Sequence, residues 1–84
     1  MIGTMWYVGN DKKNFTIDDW HESALLGMAY VEEKFSVRPD RLITHPSSPA
    51  LDSNYLNIKC YTARYVQAMH VYIIHPEGYD NKVA

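Results

Sequence analysis

A single cysteine, Cys60, is all the sulfhydryl chemistry this chain carries. One thiol closes no internal disulfide, and without a cluster of histidines or further cysteines it builds no zinc site. No metal or cofactor is therefore expected, and a reducing compartment such as the cytosol is. Glycine is scarce too, four residues scattered with no phosphate-cradling loop among them. Ser47 and Ser48 follow closely on His45, but nothing resembles a nucleophile elbow or a triad, so no catalytic residue is assigned. No apolar run approaches the ~20 residues that cross a bilayer, and Met1–Trp6 lacks the basic and apolar regions of a secretion signal. Asn14-Phe15-Thr16 matches a glycosylation sequon, which without an export signal reads as coincidence. Charge of one sign is missing too. Eight basic and ten acidic residues give a formal net charge of −2 with no block of either. That balance argues against a general nucleic-acid binder, whose affinity rests on neutralising phosphates. A local basic spot would need Arg38, Arg41, Lys59 and Arg64 to converge; separately they are solvated surface charge.

What remains for 84 residues is one small domain, residues 1–84, with 77–84 expected to fray. A chain of this size buries only about 60–65% of the surface its unfolded form exposes, so its stability is expected to be a few kcal/mol. Association is one way such domains gain more.

One short phrase occurs twice. Leu42-Ile43-Thr44-His45-Pro46 and Tyr72-Ile73-Ile74-His75-Pro76 are each an apolar run ending in histidine and proline. Proline cannot donate to a sheet ladder, so both read as strand ends. Ile2–Val8, closing at Gly9-Asn10-Asp11, reads as a first strand and turn. Thr16 with Asp19 forms a variant capping box, and Phe15 with Trp20 a hydrophobic staple. From there Ile17, Trp20, Ala24, Met28, Val31 and Phe35 mark one buried stripe of a helix over Ile17–Phe35. Arg38-Pro39-Asp40 turns the chain into a strand over Arg41–His45. Pro46–Tyr55 then reads as a surface loop, Leu56–Val66 as the longest strand, and His70–His75 as its hairpin partner. The expected fold is α+β: one amphipathic helix on a four-stranded mixed sheet, in the order β-α-β-β-β.

Strand side chains alternate, so parity sorts two faces. Trp6, Val8, Leu56, Ile58, Cys60, Val71 and Ile73 suit burial beneath the helix. Met5, Tyr7, Lys59, Tyr61, Ala63, Tyr65, Tyr72 and Ile74 form the other side, which one helix cannot also cover. On the helix, Leu26 and Tyr30 project nearly opposite the buried stripe, one turn apart. This surplus exceeds what a soluble monomer usually exposes. The candidate interface is accordingly Leu26, Tyr30, Tyr7, Tyr61, Tyr65 and Tyr72, unless a bulge shifts the parity and turns these rings into the rim of the core. The expected partner is a second copy of the chain or another protein.

Two other readings compete. Tyr61, Tyr65 and Tyr72 could stack a small ligand or nucleotide while Lys59 or Arg64 holds its anionic group. Alternatively His45 and His75 could form an acid/base pair. In a three-strand meander they would share one end of the sheet, with backbones roughly 10 Å apart from the ~4.8 Å strand spacing. The plainer role for each is to cap its strand end. Cys60 reads as a buried, aliphatic-like thiol, and His21 and His70 have no partner at a diagnostic spacing.

Arg38-Pro39-Asp40-Arg41-Leu42-Ile43-Thr44-His45-Pro46 and Arg64–Ile73 also match a wider pattern. Residues 30–76 resemble a segment of the major capsid protein fold of tailed phages, where a helix leads to a Pro-Asp-x-Ile/Leu-x-x-x-Pro strand end and then to a strand pair. The chain is shorter than a capsid subunit and lacks that pair's turn glycine. The resemblance implies a small phage-derived structural or accessory protein, placed in the host cytoplasm.

Overall fold

The helix begins at its capping signal. In the computed structural model, which describes residues 3–8 and 16–76, Thr16 is extended and its hydroxyl accepts from the Asp19 amide at 3.2 Å. The Asp19 carboxylate in turn accepts from the Thr16 amide at 2.9 Å. This box satisfies amide donors that a helix start leaves open. Helix α1 (Ile17–Phe35) has the expected bounds and stops at Ser36, whose φ of 56° is left-handed. Trp20, Ala24, Met28 and Val31 are buried and Phe35 half-buried, as the spacing predicts; Ile17, in the first turn, is exposed. Phe15, the turn at 9–11 and the segment 77–84 lie outside the described residues.

Four strands form one mixed sheet: β1 (Gly3–Tyr7), β2 (Arg41–Thr44), β3 (Lys59–Thr62) and β4 (His70–Ile74), in the spatial order β1-β4-β2-β3. The α+β class is thus as expected, but one pairing is not. β4 runs antiparallel to both β1 and β2, while β3 lies parallel to β2 at the edge. The expected hairpin between 56–66 and 70–75 does not form, because the long strand is broken at both ends. Asp52 caps a one-turn helix, α2 (Ser53–Leu56), accepting from the Asn54 and Tyr55 amides at 2.9 and 3.2 Å. Asn57, at φ 56°, ends that turn. At the other end Val66 donates back to the Ala63 carbonyl at 3.3 Å, closing a turn. Only Lys59–Thr62 stays extended, and α2 supplies the crossover that a parallel pair needs. The supposed surface loop 46–55 also buries Leu51.

The helix-side face follows the expected parity. Leu42, Val71 and Ile73 of the sheet pack with Trp20, Ala24, Met28 and Val31 of α1, and Val8, Leu51 and Leu56 close the cluster. Trp6, Ile58 and Cys60 lean against it. Each fully buried aliphatic contributes roughly 1.5–3 kcal/mol. α1 packs tightly on the sheet at Gly27, where a Cβ would stand 2.8 Å from Ile73 Cδ1 and from Trp6 Cγ.

Candidate functional site

Alternation and register together place one row of side chains across the outer face of the sheet. Met5 lies opposite Tyr72, Tyr72 opposite Ile43, and Ile43 opposite Tyr61. The neighbouring row on that face runs Gly3, Ile74, Arg41, Lys59. Gly3 leaves room for Tyr72: a Cβ there would stand 2.6 Å from Tyr72 Cε1. The 63–66 turn, anchored by the Ala63 amide on the Thr44 carbonyl at 2.9 Å, folds over the centre of this face. Val66, 1% exposed, covers Ile43 and Ile74 and makes a second small core.

That cover is partial. Tyr61 and Tyr65 stay 50% and 61% exposed, Tyr7 60%, and Met5 is exposed beside it. Tyr65 meets Tyr72 edge-on at 6.3 Å and 88°, and Tyr7 lies 5.1 Å from the His70 ring. Tyr72 is half-buried. The candidate interface is therefore two flanks beside a covered centre. On the helix, Leu26 is 61% exposed, and Tyr30 is exposed while its ring touches Trp6 at 5.5 Å.

Beside Tyr61 and Tyr65 the β3 flank forms an open groove of about 600 Å³. Arg38, Asp40, Arg41, Ile43 and Lys59 line it. Arg41 is ion-paired to Asp40; among the described residues Arg38 and Lys59 form no ion pair. Three of the four basic residues considered from sequence thus converge. Arg64 does not: it is exposed in the 63–66 turn, outside the lining.

The histidines are occupied with structure. His45 Nδ1 accepts from the Ser47 amide at 3.0 Å and lies 2.7 Å from its hydroxyl, so the ring caps the strand end. His75 is buried, hydrogen-bonded to Thr4 Oγ1 at 3.2 Å and packed 4.7 Å from the Phe35 ring; burial pushes its pKa down. The two do not share an end of the sheet, contrary to the meander expectation, because β2 and β4 are antiparallel neighbours. His21, on the buried side of α1, accepts from the Asp52 amide at 2.9 Å and stacks 5.0 Å from Tyr55. His70 Nδ1 bonds the Ala68 carbonyl at 2.8 Å. Burial, and after it the Asp52 carboxylate, pushes the Cys60 thiol up, which disfavours the reactive thiolate.

Among the described residues no three His, Cys, Asp or Glu side chains come together around a metal position, and no helix is long and apolar enough to cross a membrane. No family model, no curated protein and no solved structure matches the chain.

Proposed function

We propose that the chain is a non-enzymatic interaction protein that associates with copies of itself through the outer face of the sheet. The observation that carries this reading is the exposure of Tyr61 and Tyr65 after the 63–66 turn has already covered what it can. Tyrosine at such a surface offers ring area for contact while its hydroxyl stays wet, and it is enriched in binding patches. All four imidazoles are engaged in local bonds or ring packing, which gives each a structural role. A structural or accessory role, of the kind the capsid-fold resemblance implies, and a place in the cytoplasm fit this reading. Tyr61→Ser/Tyr65→Ser is expected to lower the light-scattering mass toward that of the 9.7 kDa monomer while leaving the circular dichroism unchanged. An unchanged mass would remove Tyr61 and Tyr65 from the interface.

One observation favours a second reading. The groove puts Arg38 and Lys59 next to Tyr61 and Tyr65, a pairing of cations and stacking rings suited to an anionic aromatic ligand such as a nucleotide. Thermal shift with mono- and cyclic nucleotides tests it. A rise in midpoint lost in Lys59→Ala supports this reading, and no shift with any of them removes it.

A further inference from the structure

Among the described residues, α1 and the groove on the other side of the sheet carry opposite excess charge. α1 bears five carboxylates, Asp18, Asp19, Glu22, Glu32 and Glu33, against one lysine, Lys34. At 100° per residue, Glu22, Leu26 and Glu33 fall within one narrow sector facing away from the sheet, and all three are exposed. A ridge with Leu26 between Glu22 and Glu33 thus runs along the outside of the helix layer. On the opposite side of the molecule Arg38, Arg41 and Lys59 rim a groove whose rings are Tyr61 and Tyr65, with Asp40, paired to Arg41, as the one carboxylate among its lining residues. The ridge is what the groove lacks, and the groove is what the ridge lacks.

We infer that self-association is heterologous: the Glu22–Leu26–Glu33 ridge of one copy docks in the Arg38–Lys59–Tyr61 groove of the next. This rests on the self-association reading and specifies its geometry. An isologous contact of groove on groove would bring together two linings in which Arg38, Arg41 and Lys59 outnumber Asp40, and ridge on ridge would bring carboxylates together. Like charges face to face suppress a contact, whereas opposite ones steer and register it. A helix ridge in a groove is also a recurrent recognition geometry, with Leu26 as the anchoring side chain. Because ridge and groove lie on opposite layers, each docked copy still offers one free face. The contact then propagates, into a ring if the rotation closes and a filament if it does not.

Two single substitutions at exposed positions test this, Leu26→Asp for the ridge and Tyr61→Asp for the groove. Each is expected to be folded by circular dichroism and monomeric alone by sedimentation. Mixed, they are expected to give a capped 1:1 dimer, since the intact groove of the first takes the intact ridge of the second and the two faces left over are the disabled ones. Wild-type association is expected to weaken at least about tenfold between about 50 and about 500 mM NaCl, a measurement that needs no variant. If Leu26→Asp assembles like wild type, the ridge is not used and heterologous docking is overturned while self-association stands. If wild type is itself a monomer, both readings fall.

Discussion

At the scale of single residues, contact distance and burial decide more than propensity does. Alanine is the better helix former by about 1 kcal/mol, yet Gly27→Ala is expected to destabilise. Its new Cβ would stand 2.8 Å from Ile73 Cδ1 and Trp6 Cγ in the packed layer between helix and sheet. Overpacking of that kind costs about 1–3 kcal/mol, enough to outweigh the propensity gain. The urea midpoint measures it; a midpoint at or above wild type would mean the layer yields freely. His75 gives a pH dependence. Its buried ring beside Phe35 has a lowered pKa, so the folded state holds fewer protons on it than the unfolded state does. Stability from this group is complete above about pH 6.5 and falls as pH drops below that toward the folded pKa. His75→Gln is expected to flatten the loss between about pH 7.5 and about pH 5.5, read from unfolding free energies. An equal loss in both proteins would assign it elsewhere. The sequence announced part of this detail. The spacing 17, 21, 24, 28 puts His21 on the buried stripe, a signal the apolar pattern alone passes over. The close approach at Gly27 depends on where Trp6 and Ile73 land and has no local signal.

Among elements, the long capped and periodic segment was legible, while the short turns and the strand pairing were not. α1 could be read to its ends because its capping box and its periodicity both lie within the segment. Strand parity could be read as well, since alternation needs no partner. Pairing depends on the whole chain. The run Leu56–Val66 looks like one strand until Asp52 caps a helical turn into it and the Ala63–Val66 turn closes its other end. Asn57 marks the first of these breaks with its left-handed φ of 56°. Asparagine tolerates that region and a β-branched residue does not. Asn57→Val is expected to cost about 1–2 kcal/mol and Asn57→Gly little, compared by thermal unfolding. Equal effects would mean that α2 need not end where it does. The same misread pairing put His45 and His75 at one end of the sheet, when the antiparallel β2–β4 contact holds them at opposite ends.

For the whole molecule, the candidate site was legible as a surplus but not as a shape. Counting rings against one available helix identified Tyr7, Tyr61, Tyr65 and Tyr72 as uncovered; the first three are exposed, and Tyr72 is half-buried. The count could not foresee that Val66 would cover Ile43 and Ile74, splitting the face into two flanks. Nor could it foresee that β3, moved to the edge beside β2, would carry Lys59 to Arg38 and Arg41 and leave Arg64 outside. Among the described residues the result is a helix bearing five carboxylates on one side of the sheet and, on the other, a groove where Arg38, Asp40, Arg41 and Lys59 lie beside the exposed rings of Tyr61 and Tyr65. The most direct test is the weight-average mass of the wild-type chain as protein concentration is raised from low to high micromolar. A mass that climbs with concentration beyond the 9.7 kDa of one chain is what uncovered tyrosines predict, and a flat 9.7 kDa throughout would contradict it.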